Sequence, residues 1–188
     1  MELGCIVMAA GSASRFGSNK LLASLEGRPL IAYGLDALPA QRFAAVVVVT
    51  QYERVADLAR ERGFQVLYNR HPERGQSESI KLGLGALSTC DGVLFQVADQ
   101  PYLRQDTLLR LIDLFAAHPR DIAALGHHGQ RGNPCLFAAR FFPELMALTG
   151  DRGGSGVIRR HPQALHLLEV EARELLDIDT PEILARLQ

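Results

Sequence analysis

Leu3-Gly4-Cys5-Ile6-Val7-Met8-Ala9-Ala10-Gly11-Ser12-Ala13-Ser14-Arg15-Phe16-Gly17-Ser18-Asn19-Lys20 is the stretch whose reading decides the architecture. Residues 3–8 form an apolar run too short for an ordinary helix, and they read as a strand buried on both faces. The run then gives way to glycines, serines, an arginine and a lysine. Small residues at a strand end let backbone N–H groups turn inward and approach phosphate oxygens closely. Arg15 can present a planar fork to a polyphosphate and Lys20 a point charge. The spacing is neither GxxxxGK[ST] nor GxGxxG, which disfavours P-loop hydrolysis and simple dinucleotide binding. By composition alone the loop is either a phosphate cradle or a solvated turn.

Working outward, short apolar runs alternate with segments of helical period, the pattern of a sheet covered by helices. Strands are expected at residues 44–50, with four consecutive valines, and at 64–68, 92–97, 122–126 and 135–138, with an edge strand at 165–169. Helices are expected from Pro29 to near Pro39, and at 53–62, 77–87, 104–117, 139–148, 157–160 and 181–187. No repeat, low-complexity tract or Pro/Ser-rich linker divides the sequence, so one α/β domain with a mainly parallel sheet is expected over residues 1–188. Ligands of such sheets bind at the carboxyl ends of the strands. Two loops there carry unusual chemistry, the one after the first strand and the one after Val97.

The 188 residues are 47% hydrophobic and carry 20 basic against 21 acidic side chains, a net charge of −1. No global field attracts nucleic acid or an anionic membrane, and no run reaches the length of a membrane span. Cys5, Cys90 and Cys135 form no CxxC pair and read as reduced thiols, so a cytoplasmic protein is expected. Adjacent residues face opposite ways on a strand, so His127 and His128 read as a solvated pair. The other histidines are scattered and carry no assignment. The charge-rich stretch from Arg70 to Arg74 reads as a solvated turn.

Asp99 directly follows the strand at 92–97, and Pro101 helps end that strand. Its carboxylate serves either as a hard ligand for Mg²⁺ facing a triphosphate or as a turn aspartate. Asp177 or Asp179 offers a second carboxylate. Asp179-Thr180-Pro181-Glu182 also reads as the N-cap of the last helix.

The glycine loop with Lys20-Leu21-Leu22, then Gly75-Gln76-Ser77-Glu78-Ser79-Ile80, Ala98-Asp99-Gln100-Pro101, Gly132-Asn133-Pro134 and Asp177-Ile178-Asp179-Thr180-Pro181-Glu182 stand in one order. In that order they resemble the molybdenum cofactor cytidylyltransferase family over nearly the whole chain. The resemblance implies a Rossmann-like three-layer nucleotidyltransferase fold. It implies transfer of CMP from CTP to the phosphate of molybdopterin or molybdenum cofactor, with Mg²⁺ and release of pyrophosphate, and a molybdoenzyme client for the product. Two alternatives stay open: a transferase using GTP or acting on a sugar or alcohol phosphate, and a non-catalytic cofactor carrier.

Residue by residue, the resemblance implies that Arg15, Lys20 and Asp99 are catalytic and that Asp99 and Asp179 hold the metal. Ala9, Ala10, Gly11, Ser12, Ser14, Arg15, Lys20, Gly75, Ser77 and Ser79 would bind nucleotide, although the serines at 77 and 79 could equally cap a helix. Gln100, Asn133, Pro134, Asp151, Arg152 and Gly153 would face the acceptor. Relatives that use CTP tend to carry Ala-Ala-Gly where GTP users carry Ala-Gly-Gly, and Ala9-Ala10-Gly11 favours CTP. Many relatives place an arginine just after Gly153-Gly154, whereas Ser155 and Gly156 follow here. Arg152 or Arg159 is expected to supply that charge.

Overall fold

The structure, a computed structural model, describes residues 1–11 and 19–187. Its core is a seven-stranded sheet of β1 (Leu3–Ala9), β4 (Ala45–Thr50), β5 (Gln65–Tyr68), β6 (Gly92–Val97), β7 (Ile122–His127), β8 (Gln130–Ala138) and β9 (Leu165–Glu169). A separate two-stranded hairpin joins β2 (Ser24–Leu25) to β3 (Arg28–Pro29). The strand order is β5-β4-β1-β6-β8-β7-β9, parallel throughout except that β8 runs against both neighbours. Val46, Val47, Val48 and Val49 are all buried, as a central strand covered on both faces requires.

Among the described residues the α-helices are α1 (Leu30–Asp36), α2 (Glu53–Arg60), α3 (Gln76–Ala86), α4 (Gln105–Ala117), α5 (Phe142–Met146), α6 (Ser155–Arg160) and α7 (Pro181–Ala185). The α1, α2 and α4 helices cover one face of the sheet and α3, α5 and α6 the other, giving three layers. Close approach fixes α3: a Cβ at Gly83 would meet Ile6 of β1, and one at Gly4 would meet Leu87. No helix is long and apolar enough to cross a membrane among the described residues.

Two hairpins depart from expectation. Pro29 ends a short strand and caps α1 instead of opening it, and β8 begins at Gln130, five residues before the expected strand. Their turns, Glu26-Gly27 and His128-Gly129, hold both residues at positive φ: 49° and 80° in the first, 49° and 74° in the second. Primed turns of this kind usually announce themselves with Asn-Gly or Asp-Gly, and here Glu and His occupy the strained first position. The expected helix at 139–148 is a 3-10 turn, Ala139–Phe141, followed by the five residues of α5.

Beyond the main core, Leu25, Leu30, Ile178 and Leu184 make a small cluster of their own. It ties the first hairpin, α1 and the approach to α7 together.

Candidate functional site

The chain runs from β1 to β4 and β5 on one side, then returns to β6 on the other. The crevice between the carboxyl ends of β1 and β6 is therefore the topological switch point, where such sheets bind ligands. A cleft of about 260 Å³ opens there, lined by Ala10 and Gly11 from β1's end, Lys20 and Leu21, Asp99, and Gly75, Gln76 and Ser79 at the start of α3.

Lys20 is the hub. Its Nζ donates to Asp99 Oδ2 at 2.6 Å and to Asp179 Oδ1 at 3.1 Å, joining residues 79 and 159 positions apart. Burial opposes the charged lysine, but the hydrogen bond and field of Asp99, then those of Asp179, outweigh it and raise its pKa. Asp177 joins the same cluster. Burial, then the nearby charge of Asp99, pushes its carboxyl up to about 6, with Asp179 adding to the rise and Gln100 and Lys20 opposing it. Among the described residues, three carboxylates thus gather around one ammonium.

The second carboxylate is placed by backbone. Ile178 is fully buried in the small cluster, and its N–H donates to the Asp99 carbonyl at 3.0 Å. The cap of α7 is Thr180, whose hydroxyl accepts from Ile183 N–H, which leaves Asp179 free of that duty. Hard carboxylate oxygens gathered around one cation are the donor set a divalent metal such as Mg²⁺ takes, alongside phosphate oxygens.

The end of β1 is held from β4. Thr50 Oγ1 donates to Ala9 O at 3.0 Å, Gln51 Nε2 to Ala10 O at 2.8 Å, and Tyr52 OH to Gly11 O at 3.0 Å. These three anchors were missed by sequence reading; three polar residues closing a run of valines at the ligand edge are the signal that could have found them. Ser12, Ser14 and Arg15 lie outside the described residues.

On the far wall, Gly75 sits at φ 83°, and a Cβ there would collide with the Gly150 carbonyl group. Ser77 N–H donates to Gly150 O at 3.1 Å, so the start of α3 is stitched to the 150–151 loop. The side chain of Ser77 is buried and off the cleft lining, and neither serine caps α3. Ser79 does line the cleft, its hydroxyl accepting from Asn69 Nδ2 at 3.0 Å.

A second cavity of about 180 Å³ adjoins the first, with Met8, Gln76 and Val97 shared between them. Its floor is the helix-covered face of β8. Arg131, Asn133, Cys135 and Phe137 alternate onto it at spacing two, as a pleated strand dictates. Leu145, Ile158 and Ile80 roof it.

The expected acceptor residues divide. Asn133 and Gly153 line this cavity, and Asp151 borders the first. Pro134 is buried off both linings. Gln100 is 2% exposed; it donates to Leu175 O and supports Asp177, lining neither space. Arg152 and Arg159 border a neighbouring groove and not this cavity, whose lining cation is Arg131. Gln76 was not assigned a role, yet it lines both spaces and the neighbouring groove.

Among the described residues, the one His/carboxylate group close enough to share an ion is His118, Asp121 and His166, at the opposite edge of the sheet. The two imidazoles stack at 3.7 Å, and Arg140 already pairs with Asp121 at 2.7 Å.

Comparison with known proteins accords with this arrangement. Residues 5–165 match the MobA-like NTP transferase domain, and the chain belongs to that family. It is similar to the purine catabolism protein PucB of Bacillus subtilis (strain 168), 30% identical over 190 residues, which covers 94% of this chain and 91% of that protein. It is also similar to a probable molybdenum cofactor guanylyltransferase of Nostoc sp., 28% identical over 194 residues, covering 100% and 91%. Among solved structures, Rv0371c of Mycobacterium tuberculosis H37Rv superposes with a TM-score of 0.83 at 24% identity over 100% of this chain and 97% of that one. Its complex with manganese gives 0.81 at 24% identity, covering 100% and 98%. The fold is thus the three-layer α/β fold of the nucleotidyltransferases, and family and fold together support nucleotidyltransferase activity.

Proposed function

We propose that this member of the MobA-like NTP transferase domain family transfers CMP from CTP to the phosphate of molybdopterin or molybdenum cofactor. The reaction would use Mg²⁺ held by Asp99 and Asp179. The observation that carries the reading is the bridge from Lys20 to both aspartates at the switch point. A terminal phosphate of the acceptor is already anionic at neutral pH. One of its oxygens attacks the α-phosphorus, the bond from that phosphorus to the bridging oxygen breaks, and pyrophosphate leaves with the electron pair. No side chain needs to remove a proton, so the work of the site is alignment and charge neutralisation.

Lys20 faces the α-phosphate. Because two carboxylates already hold it, little side-chain freedom is left to lose on binding. Arg15, Ser12, Ser14 and the amides around Gly11 are assigned to the β- and γ-phosphates. Bound Mg²⁺ supplies electrostatic stabilisation of the phosphoryl oxygens, and the crowding that raises Asp177 favours an added cation. Ala10 and Gly11 line the cleft where a base would lie, and Ala9-Ala10-Gly11 supports CTP over GTP. The adjoining cavity with Asn133 supports a ring-bearing acceptor. A molybdoenzyme client would take up the product.

Pyrophosphate release measured with each ribonucleoside triphosphate, Mg²⁺ or Mn²⁺, and molybdenum cofactor tests the proposal, with Lys20→Ala as control. CTP-selective, Lys20-dependent release is expected. Release with GTP moves the nucleotide, and release only with a sugar phosphate moves the acceptor. Tight cofactor binding without release under any condition would overturn the transferase in favour of a carrier.

A further inference from the structure

We infer that Arg131 is the acceptor-selecting residue, and that the acceptor carries, besides the phosphate that reacts, a second anionic group on or beside a planar ring. The inference rests on the acceptor entering the cleft of the proposed transfer, because the cavity it concerns opens into that cleft through Met8, Gln76 and Val97.

Charge carries the argument. Among the described residues Arg131 is the one ionisable cation lining the second cavity, and it is half-buried. Its guanidinium donates to three neutral groups: Ser155 Oγ at 2.7 Å, Gly132 O at 3.2 Å and Cys135 Sγ at 3.3 Å. Among the described residues no carboxylate pairs with it, whereas Arg160 nearby is paired with Glu144. A half-buried cation whose protein partners are all neutral is left to pair with an anion that a ligand brings. The neutral partners hold the fork in place without neutralising it.

The walls describe the rest of the ligand. Phe95 and Phe137 meet edge to face at 5.7 Å on the floor, with Leu145 and Ile158 opposite. An enclosure of about 150 Å³ accepts one aromatic ring in a protein core, so a cavity of about 180 Å³ with an open side toward the cleft accommodates a flat ring system. Asn133 adds an amide able to donate and accept at its rim. Ser155 stands where an arginine was expected from resemblance, and Arg131 reaches that place from β8. A planar fork pairs best with a carboxylate, phosphate or similar oxyanion.

Two measurements test this. Calorimetric titration of the full chain with pterin-6-carboxylate and with neutral 6-methylpterin reads the cavity without turnover. Pyrophosphate release against molybdenum cofactor concentration reads it in the reaction. In Arg131→Met, the preference for the carboxylate over the neutral pterin is expected to vanish. KM for the acceptor should rise about 30-fold, the usual cost of removing one partner from a buried charge pair, with KM for CTP unmoved. Arg131→Lys should retain part of both, and equal melting temperatures would show that the variants fold.

Wild type binding the two pterins equally, or neither, overturns the inference, as does an unchanged acceptor KM in Arg131→Met. Absence of pyrophosphate release in wild type, with Arg131-dependent carboxylate binding intact, would instead sink the proposed reaction and leave the anion site standing.

Discussion

The β5-β4-β1-β6 half of the sheet and the β8-β7-β9 half present their chemistry in different places. In the parallel half the polar groups of the site sit at strand ends: Gly11 after β1, Thr50 to Tyr52 at the close of β4, Asp99 after β6. In the mixed half they lie along a strand, Arg131, Asn133 and Cys135 on one face of β8. Strand ends gather short polar motifs from different parts of the chain and suit hard, multiply charged ligands. A strand face alternates one polar residue with one that packs elsewhere, and it suits a flat ligand with a single polar handle.

If that division holds, damage at a strand end should act on turnover and damage on the face should act on acceptor affinity. Lys20→Met removes the hub of the first half and should lower kcat about 100-fold or more, read by pyrophosphate release at saturating substrates, while acceptor KM stays within a few-fold. A comparable rise in acceptor KM would break the division. Gly154→Ala strikes the second half, since a new methyl would meet the Phe137 ring at 2.7 Å and tilt the cavity floor. Acceptor KM should rise about 10-fold, an overpacking cost of the usual size, and KM for the triphosphate should not move.

Glu144→Gln loosens the roof, where Glu144 of α5 holds Arg160 of α6 and His161 together. Arg160 first, then His161, holds the Glu144 carboxyl below the ordinary range against the opposing effect of burial. A depressed carboxyl contributes stability above its unfolded value, about pH 4.3, and loses it as pH falls through the lower folded value. Denaturation should therefore show the variant less stable by about 1 kcal/mol at pH 7, partly exposed as the pair is, with the difference shrinking as pH falls below about 4.3. A difference that persists at low pH would mean packing, not charge, holds the roof. Gln51→Ala should have the smallest effect, about a threefold rise in triphosphate KM from one lost neutral anchor on Ala10.

The same division explains what the sequence made legible. Strand-end chemistry sits in contiguous words, so Asp99 and the pair Asp177 and Asp179, which the fold brings together, could be picked out directly, and the seven strands of the main sheet followed from their apolar runs. Arg131 escaped because the residues that give it meaning, Ser155 and Phe137, lie 24 and 6 positions away and meet it only in the folded face. The hairpin at Glu26-Gly27 escaped because its two-residue strands are too short to show alternation, and Glu is a poor marker for a positive φ. The contacts of Gln100 were hidden for another reason: its amide donates to the Leu175 carbonyl, 75 positions away, which nothing local reveals.

The seat of Ile178 has a consequence for how the molecule breathes. The small cluster it shares with Leu25, Leu30 and Leu184 is separate from the main core, so a local opening there could undock residues 177–179 while the large sheet stays intact. Because Lys20 leads into the first hairpin of that cluster and Asp179 follows Ile178, the opening would part the Lys20–Asp179 contact from both sides. Native-state hydrogen exchange would then find the Ile178 amide, bonded to Asp99, exchanging earlier than the valines of β4. The jaw that grips charge would hinge on a few apolar side chains, with the sheet serving as its frame.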